Sequence, residues 1–177
     1  MQFETERFPI GPFHPPEPID AEHIRLWLTV LRDLPAQLEG ELATLDNAEL
    51  GWRYRKGGWT IAQVVHHLAD SHMNSLIRFK LALTEKQPTI RPYMEDRWAE
   101  LPDGKGTDLA DSLSILRGVH GRWVRLLQTL TPADRKRTFI HPESDRIIAI
   151  EENIGLYAWH CNHHLAHIRR AKELRLA

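Results

Sequence analysis

Ile154-Gly155-Leu156-Tyr157-Ala158-Trp159-His160-Cys161-Asn162-His163-His164-Leu165-Ala166-His167-Ile168 carries two patterns at once. Ile154, Ala158, Cys161, Leu165 and Ile168 step 4, 3, 4, 3, the spacing of an apolar seam along one side of a helix. His160, His163, His164 and His167 fall at i, i+3, i+4 and i+7 of the same helix. Histidine is a poor helix former, so propensity does not account for the cluster. Neutral imidazole is the commonest metal ligand, and residues four apart on a helix stand about 5–6 Å apart at Cβ, close enough to share an ion. The stretch therefore predicts a bundle helix that also presents ligands.

Angles sort the four histidines. At about 100° per residue, with Ile154 at the centre of the seam, His160 and His164 border the apolar face. His167 lies further round, and His163 points away. A ligand has to reach the bundle interior, so His160 and His164 are the preferred pair and His167 is the next candidate. His163 is expected to be exposed, or to support a neighbouring ring.

Working outward, this last helix spans about Glu151 to Leu174. Before it, Thr138 to Ile140 and Ile147 to Ile150 flank a polar turn and predict a small hairpin. Thr131-Pro132 closes a third helix that opens near Asp108. Its Leu109, Leu113, Leu116, His120, Trp123, Leu127 and Leu130 step 4, 3, 4, 3, 4, 3, a bundle seam with a histidine inside it. Residues 86–107 carry Pro88, Pro92, Pro102, Gly104 and Gly106 and read as a long loop, a lid or a partner contact. Gly57-Gly58-Trp59 is a break, and Thr60 with Gln63 is a capping box that opens a second helix ending near Glu85. Its apolar stripe is Ile61, Val64, Val65, Leu68, His72, Leu76, Phe79 and Leu83. A first helix starts at Asp20 as N-cap, and Pro35 is expected to kink or split it. Residues 1–19, with five prolines, predict an extended arm anchored by Phe3, Phe8, Ile10 and Phe13, against the alternative of a disordered tail. Residues 1–177 thus read as one all-α domain, a four-helix bundle.

The second helix supplies the third ligand. With Leu68 on the seam, His67 sits in a polar stripe with Ser71, Asn74 and Arg78, His66 faces outward, and His72 is a core histidine. Zinc typically takes three protein ligands in a catalytic site, so His67 joins His160 and His164 and one coordination position stays open. Asp70 and His120 are candidates for moving protons or supporting a ligand; His120 reads equally as a pocket residue or a buried structural one. Asn74 and Arg78 are candidates for binding an anionic substrate. Cys161, in the seam, reads as an inert core thiol.

Bulk composition narrows the function. A net charge of −1 leaves no basic excess to neutralise phosphates, which argues against nucleic acid. No apolar run approaches the length of a membrane span, and the acidic start is not a signal peptide. The single cysteine makes no internal disulfide and suits a reducing cytoplasm.

Several segments together resemble the YfiT-like branch of the DinB superfamily. They are Gly57-Gly58-Trp59-Thr60, Val64 through Asn74, Arg78-Phe79-Lys80, Ile90-Arg91-Pro92-Tyr93, His120-Gly121-Arg122-Trp123, Tyr157 through Ile168, and Phe8-Pro9-Ile10-Gly11 in the arm. The resemblance implies a four-helix bundle with one metal ion per chain, zinc or nickel, held by His67, His160 and His164. It also implies a cytoplasmic homodimer acting on a small molecule as a metal-dependent hydrolase. Wider relatives use the metal to activate a low-molecular-weight thiol, which makes a thiol S-transferase the alternative. No carboxylate base accompanies the triad, which tilts the chemistry towards the thiol. A non-enzymatic metal-binding stress protein, with the site closed by His163, His167 or Asp70, is a further alternative. So is a metal-free, pH-sensitive polar patch.

Overall fold

Four long helices frame the computed structural model, which describes residues 6–177: α1 (Ala21–Leu42), α2 (Ile61–Thr84), α3 (Ala110–Gln128) and α4 (Ile150–Leu174). Their starts follow local chemistry. The Asp20 side chain accepts from the His23 N–H, and the His23 ring reaches back to the Asp20 N–H. Thr60 and Gln63 make the same reciprocal pair at the head of α2. Asp108 Oδ1 accepts from the Ala110 N–H at 3.0 Å where α3 begins. Pro35 does not split α1, contrary to that expectation. Leu31, Leu34 and Leu38 around it are fully buried, and their packing holds the helix through one missing hydrogen bond.

α1 packs on α3 and α4, and α2 packs on the same two helices. The consecutive helices α1 and α2 therefore face each other across the diagonal. Such a crossing needs a long connection. Residues 43–60 supply it, with a 3-10 turn at Glu49–Gly51 and a left-handed Gly57 (φ 67°) that turns the chain into Trp59. Residues 86–107 form the long connection expected, with local structure of its own. They contain two single helical turns, Glu95–Trp98 and Pro102–Lys105. These are tied to α2 by the Gln63 side chain, which donates to the Ala99 carbonyl at 2.9 Å, and by the His66 ring on the Gly106 carbonyl at 2.9 Å.

The hairpin before α4 is present. β1 (Thr138–His141) and β2 (Arg146–Ala149) pair antiparallel, with Thr138 opposite Ala149. Phe139 and Ile148 turn inward and are buried. Ile90 and Pro88 bond to Ile140, which ties the start of the long connection to the hairpin.

The seams meet in the core as the heptad steps predict. Leu116 and Trp123 of α3 pack with Leu68 and Phe79 of α2 and with Ile154, Cys161, Leu165 and Ile168 of α4. The arm lies over α4. Trp159 Nε1 donates to the Gly11 carbonyl at 3.0 Å, Phe8 sits 5.6 Å from the His163 ring, and Phe13 sits 6.4 Å from Trp27. Ile10 is 44 % exposed and is not the buried anchor expected. Phe3 lies outside the described residues. No helix of the described residues is long and apolar enough to cross a membrane.

Candidate metal centre

α2 and α4 are packing neighbours, so imidazoles on their facing sides meet. His67 from α2 and His160 and His164 from α4 bring one ring nitrogen each to within 4.8 Å of the others. His67 Nε2 and His160 Nε2 are 3.3 Å apart. The ring of His164 lies 4.8 Å from that of His67 and 4.4 Å from that of His160. Two nitrogens bound to one tetrahedral zinc at about 2.0–2.1 Å would stand roughly 3.4 Å apart, so the donor set fits such an ion. Protonation also fits. Desolvation pushes His67 down to about 4, and it holds His160 and His164 well below the ordinary imidazole range. All three are then neutral near pH 7, each with a lone pair to offer.

Each α4 histidine leans on further rings. His160 Nδ1 is 3.1 Å from His72 Nε2, His72 Nδ1 is 2.7 Å from His120 Nε2, and His120 Nδ1 is 2.5 Å from the Leu31 carbonyl oxygen. His164 Nδ1 is 3.3 Å from His167 Nδ1, and His167 Nε2 donates to the Arg7 carbonyl at 3.0 Å. His163, His164 and His167 also cluster within 4.8 Å. His164 belongs to both groups, and in the second its Nδ1 faces His167 Nδ1 while His167 Nε2 is turned to a backbone carbonyl, an arrangement that orients His164 for the first group.

His67, His160 and His164 all line a cavity of about 730 Å³. Trp59 covers one side, 4.7 Å from the His67 ring. Tyr157, Tyr93, Arg78 and His141 form other parts of the wall. Burial pushes the Tyr93 phenol well above its ordinary value, so it is a neutral donor.

The other sequence candidates divide. Arg78 lines the cavity, as expected of a substrate-binding residue. Asn74 does not: its amide donates to the Asp70 carbonyl of its own helix at 2.9 Å. Asp70 is also outside the lining, about 60° round α2 from His67 on the side of His66. Burial and the charge of Asp103 raise its carboxyl above the usual range. His120 is a buried structural ring, 1 % exposed, and does not reach the cavity. His72 is the core histidine expected, and burial pushes the Cys161 thiol up, as an inert thiol requires.

Two expectations of exposure are overturned. His163 is buried beneath Phe8 and stacks on Trp159 at 4.5 Å. His66 is buried too, bonded to Ser112 Oγ at 2.8 Å and to the Gly106 carbonyl. Wheel angles are blind to the arm and the loop that cover these faces. Sequence reasoning also missed Trp59, Tyr157 and His141 as cavity residues. Tyr157 stands three before His160 and seven before His164, on the same side of α4, and that spacing was there to be read.

Comparison with known proteins agrees with this geometry. The family model described as the DinB superfamily matches residues 30–168. The Bacillus subtilis protein named "Putative metal-dependent hydrolase YfiT" is 52 % identical over 161 residues, covering 91 % of this chain and 90 % of that one. The solved structure of YfiT, described as a four-helix bundle of unusual topology, superposes with a TM-score of 0.93 at 48 % identity. It covers 98 % of this chain and 99 % of that one. A mycothiol-dependent maleylpyruvate isomerase shares the fold at a TM-score of 0.53 and 18 % identity, over 82 % of this chain and 60 % of that one. The chain belongs to the DinB superfamily, in the branch that contains YfiT.

Proposed function

We propose that this protein is a metal-dependent hydrolase holding one divalent cation, zinc by preference, on His67, His160 and His164. The observation that carries this reading is the convergence of three neutral imidazoles from two helices at the wall of a 730 Å³ cavity. A fourth protein ligand would have favoured a storage or scaffold role. The convergent group contains three, among the described residues. When bound, a divalent cation supplies Lewis acidity and makes water or a thiol nucleophilic near neutral pH. Trp59 lies against His67 and Tyr157 against His160, so each of these ligands, from different helices, has an aromatic wall beside it. Arg78 orients an anionic or carbonyl group of the substrate, and Tyr93 donates a hydrogen bond to it.

A second reading, transfer of a low-molecular-weight thiol to an electrophile, is favoured by one observation. Among the described residues no carboxylate belongs to the convergent group; the cavity's carboxylates, Glu95, Asp96 and Glu143, are in its wall but outside that group. Arg78 and Arg55 on the cavity wall would then hold the anionic end of the thiol. The fully buried Cys161 suits a reducing cytoplasm, and a homodimer is our working assembly.

Elemental analysis of protein purified without a nickel column tests the metal, with about one ion per chain expected and His160→Ala expected to lose it. Metal-free wild-type protein that takes up no zinc would overturn the proposal. Loaded protein is then assayed against activated esters, and against a chloro-dinitro arene with a panel of thiols. Ester cleavage without thiol supports the hydrolase; a rate that appears only with thiol supports the transferase.

A further inference from the structure

A neutral imidazole carries one proton, so the partner of one ring nitrogen decides what the other can offer. His72 and His120 are 0 % and 1 % exposed, and the partners that the structure gives to them and to His160 are other rings and a carbonyl, none of them a carboxylate, so nothing offsets a charge there and each ring carries one proton. A carbonyl can only accept. His120 Nδ1 therefore donates to the Leu31 carbonyl, which leaves its Nε2 as an acceptor. His72 Nδ1 donates to that acceptor, which leaves His72 Nε2 as a lone pair. His160 Nδ1 donates in turn to His72. The remaining nitrogen of His160, Nε2, is then a lone pair, and it is the atom that faces His67. The protons are ordered along one direction through all four helices, from α4 to α2 to α3 to α1.

The far end of this series depends on a proline. In an α-helix the carbonyl of residue i accepts from the N–H of residue i+4. The residue four beyond Leu31 is Pro35, which has no N–H and whose ring crowds that carbonyl. Leu31 is fully buried, so water does not satisfy the oxygen either.

We propose that Pro35 frees the Leu31 carbonyl to anchor a histidine relay, Leu31–His120–His72–His160, which locks His160 in the tautomer that leaves Nε2 open to the metal. The proposal rests on the reading of His160 as a ligand, but the relay itself exists without metal. His120 and His72 are positioning residues, and Pro35 is the sequence feature that commits the relay to one direction.

Long-range proton–nitrogen correlation spectra of the metal-free protein at pH 7.5, with nitrogen-15-labelled histidine, read the tautomers directly. His120, His72 and His160 are expected as Nδ1–H forms. Pro35→Ala returns an N–H that competes for the Leu31 carbonyl. It is expected to shift His160 towards the Nε2–H form and to weaken zinc binding about tenfold, the effect typical of lost outer partners. Thermal stability is expected to hold or rise, because alanine suits a helix interior far better than proline. His120→Phe, which removes the relay outright, is expected to weaken zinc 10- to 100-fold. His120→Gln, which can still donate to Leu31 and accept from His72, is expected to stay within a few-fold of wild type. An Nε2–H tautomer at His160 in the wild-type protein would overturn the proposal. So would a Pro35→Ala variant with wild-type tautomers and wild-type zinc affinity. Relay tautomers in a protein that binds no zinc would sustain the relay and overturn the metal reading instead.

Discussion

Acidifying the metal-free protein from pH 7.5 to 5.5 is expected to remove a third or more of its stability. Four buried rings set the magnitude: His67, His120 and His163, each pushed down to about 4, and His167, pushed down to about 3, all by desolvation first. Their folded-state values lie below the unfolded value of 6.5. The unfolded chain therefore binds protons that the folded chain refuses, so stability is full above pH 6.5 and falls as the pH drops towards 4. One unit below 6.5, each ring costs about 1.4 kcal/mol, so the four together cost roughly 5–6 kcal/mol. His72, His160 and His164 act in the same sense, and the raised carboxyl of Asp70 opposes them. A domain typically has about 5–15 kcal/mol in total. For a chain of this size the loss corresponds to a Tm drop of roughly 10–20 °C. The assay is thermal unfolding followed by circular dichroism across the pH range, in chelator-treated protein. A Tm at pH 5.5 within about 3 °C of that at 7.5 would refute the reasoning, because rings that gain protons without cost are not desolvated.

Two further predictions concern the contact of α4 with Trp27 and the arm, and the buried face of His66 that wheel angles misjudged. Gly155→Ala would place a methyl 2.7 Å from Trp27 Cη2 and 2.9 Å from Phe13 Cζ, and is expected to cost about 1–3 kcal/mol in urea unfolding. Unchanged stability would show that the arm and Trp27 yield freely. His66→Ala is expected to keep its metal while losing about 1–3 kcal/mol, because Ser112 and the Gly106 carbonyl lose their partner; metal loss matching that of His160→Ala would overturn the assignment of His67 over His66.

The bundle was legible because its seams are apolar at a strict period. Leu116, His120, Trp123 and Leu127 are buried as their 4, 3, 4 steps require, and Ile154, Ala158, Cys161, Leu165 and Ile168 do the same on α4. Convergence of His67 with His160 and His164 was legible for the same reason, since a side chain bordering a seam must face the interior. The environments of His163 and His66 were not. A wheel assigns water to whatever lies opposite the seam, but Phe8 of the arm and the turn at Gly106 occupy those positions. Neither segment has a period that announces where it will dock. The diagonal placement of α1 and α2 was equally hidden, because a seam specifies that a helix packs and leaves open which neighbour it meets.

The excess of histidine acquires a physical reason from this arrangement. Hydrocarbon at positions 72, 120 and 167 would make a drier and more stable bundle, since polar groups cost free energy when buried. It would also leave Nδ1 of His160 and of His164 without acceptors, free to swap protons with Nε2. The two series of rings end on backbone carbonyls of different elements, Leu31 in α1 and Arg7 in the arm. A carbonyl cannot donate, so each series has only one proton order while its rings stay neutral. Lone pairs that are fixed before a cation arrives spare it the cost of reorganising its ligands. The stability given up to buried imidazole is thus exchanged for two ligand nitrogens held in one tautomer. This exchange is also why the metal-free protein is expected to be sensitive to mild acid: a proton gained anywhere along either series breaks its order and charges the core.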